Sequence, residues 1–182
     1  MVAFRVADAW RTYSERVRIM LKADYSELEL LVGREIGPSG WIEVSQNRID
    51  TYADAVSDHN WIHVDRERAR AAFGGTIAHG LLVLSLAPPM AQEMLHIGGV
   101  AADLNYGFEK VRFVRVVKGG DRVRLWLKVL KVSTRGSGKL LRMEYRLELE
   151  EGLQTAIVAD WAFLLFPETV ALAEQAFREQ AQ

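Results

Sequence analysis

Cysteine is absent from this chain of 182 residues. Its absence excludes disulfide-stapled scaffolds, thiol nucleophiles and zinc sites built on cysteine. An excess of one charge is also missing, because 23 Lys and Arg residues stand against 24 Asp and Glu residues, for a formal net charge of −1. A nucleic-acid binder or an anionic-membrane protein would normally show a basic excess. We therefore expect neither a nucleic acid nor a membrane as a partner.

Long hydrophobic runs are lacking as well. The longest apolar stretch, residues 81–91, is interrupted by Ser85, Pro88 and Pro89 and is too short to span a bilayer. The first 18 residues carry several charges, so they lack the uninterrupted apolar segment of a signal peptide. We therefore expect a cytoplasmic protein. Its hydrophobic fraction of 49% and charged fraction of 26% are those of an ordinary folded domain.

Glycine and proline at residues 37–40 separate an N-terminal segment from the rest of the chain. Apolar residues in that segment recur at spacings of four and three, which predicts an amphipathic helix. They are Val6, Trp10, Tyr13, Val17 and Met20, and Leu28, Leu31 and Val32 continue the stripe. We predict that residues 1–33 form a helical extension that is too small to have a hydrophobic core of its own. Residues 34–166 are then the folded domain, and residues 167–182 are a helical tail.

Helical patterns dominate the first half of the domain. Ser45 is a good N-cap for a helix with apolar positions at Ile49, Tyr52, Ala53 and Val56. Residues 57–65 are aperiodic and predict a loop, and residues 66–73 predict a short helix. From Leu81 to Leu95 the chain is apolar on every side, which predicts a buried helix, kinked or restarted at Pro88.

The second half of the domain alternates apolar and polar residues, as strands with one wet face do. Alternation runs through residues 122–129 and 141–150, and residues 157–166 are apolar on nearly both faces. Glycine-containing turns separate these segments, which predicts an antiparallel meander, with residues 105–117 as a strand leading into it. The sequence therefore predicts an α+β fold in which antiparallel strands cover one apolar helix.

The densest polar cluster is residues 57–65, followed by the segment 78–80 at the start of the apolar helix. A metal site is one interpretation, because His59 and His63 are four apart, but Asn60 stands where the zinc-protease motif has Glu. A serine hydrolase is another, but no Gly-x-Ser-x-Gly elbow exists. A third is an acid/base dyad of Asp58 and His63, which can converge on one small molecule. The fourth is purely structural: a capped turn and a surface imidazole.

Two motifs together resemble a known family. Asp58-x-Asn60-x-x-His63, followed by residues 73–80, is similar to the MaoC-like dehydratases, the (R)-specific enoyl-CoA hydratase group. Residues 61–65 and 105–107 resemble its nodulation protein N-like members, and the resemblance spans about residues 33–166. It implies a hot-dog fold, an antiparallel sheet wrapped round a long central helix. It also implies a homodimer or higher homo-oligomer.

The resemblance further implies which residues act. The catalytic Asp and His of the family fall on Asp58 and His63, its asparagine falls on Asn60 as a substrate-binding residue, and its oxyanion amide falls on Gly80. The implied reaction adds water to, or removes it from, an acyl-CoA-type thioester. Asp58 and His63 hold one water, with Asp58 as the favoured base. No metal and no cofactor is implied beyond the coenzyme A of the substrate.

The chain departs from the family signature Gly-Asp-x-Asn-Pro at two positions. Ser57 precedes the aspartate, and Trp61 replaces the proline and adds bulk near the acyl tunnel or beside it. A thioesterase of the same fold and a non-catalytic acyl-thioester-binding protein remain alternatives. The dyad favours hydration, because thioesterases of this fold commonly place an acid on the central helix, where only Glu93 is available.

Two further expectations concern the surroundings of the site. The phosphates of a coenzyme A ester are expected to bind cationic side chains. The candidates for this role are Arg112, Arg115, Arg122 and Arg124. Glu144 and Glu148 at similar positions predict a solvated face of mixed charge instead. His79 is expected to be structural, with its ring packed behind the start of the apolar helix.

Overall fold

The computed structural model of the protein describes residues 21–167. Of the helical extension predicted for residues 1–33, the structure describes residues 21–33, which form a strand at Leu21–Asp24 and a 3-10 helix at Tyr25–Leu31. The helix is therefore wrong at Leu21–Asp24, because pairing with Leu95–Gly98 holds this segment extended. The tail predicted after residue 167 lies outside the described residues. Within residues 21–167, no helix is long and apolar enough to cross a membrane. The division into an extension, a domain and a tail stays a prediction.

An antiparallel sheet with a central meander forms one layer of the fold. The strands in chain order are β1 (Leu21–Asp24), β2 (Glu35–Ile36), β3 (Ile42–Glu43), β4 (Leu95–Gly98), β5 (Ala102–Phe113), β6 (Arg122–Arg135), β7 (Gly138–Leu149) and β8 (Thr155–Phe166). The large sheet has the order β2-β6-β7-β8-β5, and β3 also pairs with β6. β1 and β4 form a separate parallel pair. The predicted meander is thus confirmed in β6, β7 and β8.

Alternation of side chains sets which face of the sheet is buried. Leu125 of β6 lies opposite Leu147 of β7, and Leu127 lies opposite Tyr145. All four side chains are buried, as the period of two predicted. β5 differs from its neighbours because most of its residues are exposed. It pairs with β8 alone and not with the sequence-adjacent β6, so it forms an edge of the sheet in the described part of the chain.

Helices complete the fold, and several of them contribute side chains to the same hydrophobic core as the sheet. They are α1 (Gln46–Val56), α2 (Trp61–Val64), α3 (Arg66–Phe73), α4 (Gly80–Ser85) and α5 (Ala87–Met94), and Tyr25–Leu31 is a 3-10 helix. Ser45 caps α1 as predicted, because its side chain accepts a hydrogen bond from the N–H of Arg48. Leu28 and Leu31 of the 3-10 helix are buried in the same hydrophobic core as α4 and α5. The core therefore includes residues from the predicted extension.

The single apolar helix expected from Leu81 to Leu95 is wrong in its extent. The chain forms α4 and α5, which meet at Leu86, and Leu95 already begins β4. The restart predicted at Pro88 is confirmed, since Pro88 lies in the first turn of α5, where a missing N–H costs nothing. The unit formed by α4 and α5 is also exposed on one side, since Leu81 is 61% exposed.

The loop expected over residues 57–65 contains one turn of helix, α2. Asn60 caps it, because its side-chain oxygen accepts a hydrogen bond from the N–H of Ile62 at 3.3 Å. A four-residue helix is too short to show a 3.6-residue period. For that reason the pattern did not predict it.

Candidate active site

Three short segments meet where α1 ends and α4 begins. The first contains Asp58 and follows α1, which ends at Ser57 in the left-handed conformation, with φ of 58°. The second is α2, which carries His63. The third runs from Thr76 to Gly80 and enters α4. The N–H of Ile77 donates to the carbonyl of Ile62 at 2.8 Å and joins the second segment to the third.

His63 is held by its ring and by its backbone. Its side chain is 7% exposed, and its Nδ1 lies 2.5 Å from the carbonyl oxygen of Ile77. A carbonyl only accepts, so Nδ1 carries a hydrogen and Nε2 is the nitrogen left to exchange a proton. The backbone carbonyl of His63 accepts from Nε2 of Gln46 at 2.9 Å. The ring therefore presents Nε2 in a fixed direction.

Asp58 is the exposed member of the predicted dyad, with 54% of its side chain accessible. Its Oδ1 accepts from the N–H of Asn60 at 3.3 Å. One side-chain ligand atom each from Asp58, His63 and His79 lies within 4.8 Å of the others. Two groups at such a separation can both hydrogen-bond to one water placed between them, since each bond spans about 2.6–3.2 Å. The structure thus brings the predicted dyad together and adds His79 to it.

His79 is buried, and its ring is stacked on that of His63. The ring centroids are 3.6 Å apart and the planes differ by 24°. A metal ion bound to both rings would need to lie near both planes, about 2.0–2.1 Å from each nitrogen. Nearly parallel planes at this separation do not meet at that distance, so the geometry opposes a metal held by both histidines. The His59/His63 pair is also not brought together as a site, because His59 is exposed and hydrogen-bonds to Asp54.

A cavity of about 450 Å³ opens beside His63. Its lining is mostly apolar and consists of His63, Ile77, Ala78, Gly80, Leu81, Val83, Phe113, Val114, Arg115, Val116, Val117 and Ile157. Gly80 is the first residue of α4, and no side chain caps this helix end. The first N–H groups of a helix lack acceptors within the helix. The cavity therefore combines an imidazole nitrogen with unused backbone donors.

Phe113 lies directly against Gly80. A β-carbon added to Gly80 would come within 2.8 Å of two ring carbons of Phe113. Glycine is the residue that permits this approach. The ring is 49% exposed, so Phe113 forms an outer wall of the cavity over the start of α4.

The remaining predicted residues lie around this centre. Asn60 serves as the cap of α2 and does not line the cavity, so its predicted contact with substrate stays a prediction. Trp61 packs away from the cavity: its ring stacks on Phe73 at 5.7 Å, with an angle of 18° between planes. The guanidinium of Arg68 lies 4.0 Å from the ring centroid of Trp61. The bulk of Trp61 therefore does not narrow the cavity.

The four arginine candidates have different partners. Arg112 is exposed and donates to the carbonyl of the adjacent Val111 at 2.9 Å. Arg122 pairs with Glu150, and Arg124 pairs with Glu148, each at 2.7 Å. These pairs confirm the mixed-charge face that the sequence predicted. Arg115 instead lines the cavity and donates to the carbonyl of Thr155 at 2.9 Å.

Sequence reasoning missed the network that supports His63. Gln46 donates from Nε2 both to the carbonyl of His63 and to Asp50, the latter at 2.7 Å. Its Oε1 accepts a short hydrogen bond from the hydroxyl of Thr76. Gln46 and Thr76 are 30 residues apart in the chain, and no periodic or motif signal connects them.

An antiparallel sheet wrapped on a central helical unit, with Asp and His beside the helix start, defines a hot-dog protein of hydratase type. Comparison with known proteins agrees. The family model of the MaoC-like domain matches residues 28–151, which is more than half of the chain. The chain belongs to the MaoC-like domain family.

Relatives and solved structures support this membership. The chain is 39% identical over 137 residues to 3-hydroxyacyl-thioester dehydratase Z of Mycobacterium tuberculosis, covering 74% of this chain and 91% of that protein. It is 42% identical over 138 residues to nodulation protein N of Rhizobium leguminosarum, covering 74% and 86%. The R-hydratase PhaJ1 from Pseudomonas aeruginosa matches with a TM-score of 0.64 and 25% identity, covering 79% and 86%. The hot-dog fold predicted from the sequence is confirmed.

Proposed function

We propose that the protein is a hydro-lyase that adds water to an α,β-unsaturated acyl thioester, or removes it from the 3-hydroxyacyl thioester. Its membership of the MaoC-like family supports this activity. So does its similarity to a 3-hydroxyacyl-thioester dehydratase and to an R-hydratase. The chemistry itself is argued from the site.

One observation carries the proposal: a carboxylate and an imidazole nitrogen meet across the space of a single water, at a cavity that also contains a helix start. Asp58 and His63 supply the two groups within 4.8 Å, and His63 shares the cavity with Gly80. Hydration of a double bond needs one group to take a proton and another to give one. The pair provides both.

In the hydration direction, Asp58 removes a proton from the bound water as the water oxygen attacks the β-carbon. His63, which enters this step protonated on both ring nitrogens, delivers the proton of Nε2 to the α-carbon and keeps the hydrogen on Nδ1, so that the elements of water are added across the double bond. The next water returns a proton from Asp58 to His63 and restores the pair. The hydrogen bond from Nδ1 of His63 to Ile77 is available in both protonation states of the ring. The ring therefore need not turn during the cycle.

Gly80 supplies the second part of the chemistry. The thioester oxygen gains negative charge as the enolate forms, and the free N–H at the start of α4 can donate to it. The positive end of the helix dipole adds to this stabilisation. Removing one such donor typically costs about 10²–10³ in rate. The reaction requires only a carboxylate, an imidazole, a backbone amide and water.

An acyl-CoA is the proposed substrate. The mostly apolar cavity suits an acyl thioester, and Arg115 places a cation on its lining. Coenzyme A would enter as part of the substrate, with no further cofactor. This substrate class is consistent with the cytoplasmic location expected from the sequence.

A homodimer is the proposed assembly. Within residues 21–167, β5 pairs only with β8, and an edge strand of 12 residues invites pairing with another chain. Large apolar residues are exposed on and after this strand: Phe108, Phe113, Val114 and Val116, each between 42% and 53% exposed. A second copy that covers them would also close the outer wall of the cavity at Phe113.

The test is hydration of crotonyl-CoA, followed by the loss of enoyl absorbance. We expect turnover by the wild-type protein and a fall in kcat of about 10²–10⁴ for Asp58→Asn and for His63→Gln. Asp54→Asn is the matched control, because Asp54 is an exposed carboxylate on α1 beside the same loop. Undiminished rates in both dyad variants, or no hydration at any chain length, would overturn the proposal. Release of free thiol without hydration would indicate a thioesterase.

A further inference from the structure

We propose that His79 is a positioning residue for the Asp58/His63 pair, holding the Asp58 backbone through its Nε2–H and the His63 ring plane through stacking. This inference rests on the proposed function. It assigns to His79 more than the packing role that the sequence predicted. The two contacts are made by different parts of one buried ring.

The first contact fixes Asp58. Nε2 of His79 lies 3.0 Å from the backbone carbonyl oxygen of Asp58. The carboxylate Oδ2 of the same residue is 3.8 Å away, too long for a hydrogen bond. Because a carbonyl only accepts, Nε2 of His79 must carry the hydrogen. The half-exposed carboxylate thus extends from a backbone that His79 ties to the start of α4.

The second contact fixes His63. Its Nδ1 is held at one edge by the carbonyl of Ile77, and that bond alone leaves the ring free to rock about it. The ring of His79, stacked at 3.6 Å, blocks this rocking. The ring of Tyr52 packs on His79 at 5.0 Å and supports it from another side. The direction of Nε2 of His63 is therefore set by two histidines together.

Packing alone does not explain a histidine at this position. Nδ1 of His79 is buried and has no hydrogen-bond partner among the described residues, and an unpaired buried polar atom costs free energy. A phenylalanine would fill the same space between Tyr52 and His63 without this cost. What histidine adds is the Nε2–H that reaches Asp58.

Three variants separate the two roles. His79→Phe keeps a flat ring and loses the donor, so we expect kcat to fall about 100-fold, while KM stays within about 3-fold. The thermal midpoint should be unchanged or higher. His79→Gln keeps a donor at the ε position, and His79→Asn moves it to the δ position. We expect Gln to retain about 10-fold more kcat than Asn, because a donor at δ does not reach the carbonyl.

The matched control is His59→Phe, since His59 lies in the same loop but is exposed and bonded to Asp54. We expect it to keep the wild-type kcat. A His79→Phe variant with kcat within about 3-fold of wild type would overturn the inference, as would equal kcat for Gln and Asn. If His79→Phe does not fold, the Gln and Asn comparison decides.

A second readout does not depend on activity. The chain has 4 histidines, few enough to resolve their ring nitrogens in a long-range ¹H–¹⁵N spectrum. We expect a hydrogen on Nε2 of His79 and a hydrogen on Nδ1 of His63 at neutral pH. His79 protonated on Nδ1 alone would overturn the inference even with an inactive wild type. A wild type that hydrates no thioester but shows the expected ring hydrogens would instead overturn the proposed function alone.

Discussion

Gly80 lies against Phe113, so the substitution Gly80→Ala adds one methyl group at a close contact. We expect this change to lower activity and to leave stability nearly unchanged. In Gly80→Ala the new β-carbon would lie 2.8 Å from two ring carbons, and ordinary contact begins at 3.4 Å. The ring must therefore shift by several tenths of an ångström. Because Phe113 is 49% exposed, the shift should cost only about 1 kcal/mol, the lower end for overpacking.

The same substitution also stabilises the chain. Alanine has less conformational freedom than glycine in the unfolded state and favours a helix, which contributes about 0.4–1 kcal/mol. The two effects nearly cancel, so we expect the thermal midpoint to stay within about 4 °C of wild type. The displaced ring, however, lies in the cavity wall over the proposed oxyanion donor. Since a misplacement of about 1 Å can lower a rate about 100-fold, we expect this smaller shift to lower it about 10-fold.

The assay is the steady-state kcat/KM for crotonyl-CoA beside a thermal melt of the same sample. Gly40→Ala is the control, because no atom lies within 4 Å of its added β-carbon. A kcat/KM of Gly80→Ala within two-fold of wild type would refute the reasoning, since neither the amide nor the ring would then position the thioester. A large loss of thermal stability would refute the estimate that the exposed ring of Phe113 shifts at a cost of about 1 kcal/mol.

Three further predictions concern the support of the fold. Ser39→Ala removes the hydroxyl that accepts the buried N–H of Leu125 at 2.9 Å, and we expect denaturant unfolding to show a loss of about 1–3 kcal/mol; no loss would mean that another group satisfies that N–H. The hydrogen bond from Lys139 lowers the pKa of the Glu29 carboxyl, so its stabilising effect is present above the pKa of the unfolded state and is lost as the pH falls through the lower folded value. Lys139→Met should therefore flatten the dependence of stability on pH on the acid side, as melts from pH 7 downward can measure, and unchanged steepness would contradict this assignment. Val116→Asp should shift light-scattering mass toward the monomer, because the proposed interface would bury the new charge; an unchanged dimer would place the interface elsewhere.

Local patterns predicted the local structure well, because their causes lie within a few residues. The period of two in β6 and β7 reflects which face is buried, and the hydroxyl of Ser45 caps α1 within its own first turn. The Asp58 and His63 motif was also local, five residues apart across one loop. The sequence therefore offered the pair as one of several interpretations, and the structure shows that the two side chains lie close together.

Contacts between distant segments escaped prediction for the converse reason. β5 pairs with β8, which begins more than 40 residues after β5 ends, and nothing in either strand specifies that partner. Leu28 completes a core formed by residues far along the chain. The support of His63 by Gln46 likewise joins α1 to α2 through a side-chain amide. Such contacts depend on the assembled fold, so one sequence does not reveal them.

The departure from the family at Trp61 has a physical explanation in the same terms. Trp61 is the first residue of α2, a position at which proline is favoured because its fixed φ suits a helix start. Here the ring is held between Phe73 and Arg68, both on α3. Packing against α3 thus restricts the conformation of residue 61. In the family signature, the ring of the proline restricts the same position. His63 follows two residues later, so both solutions hold the imidazole that we propose as catalytic, one by backbone geometry and the other by tertiary contact.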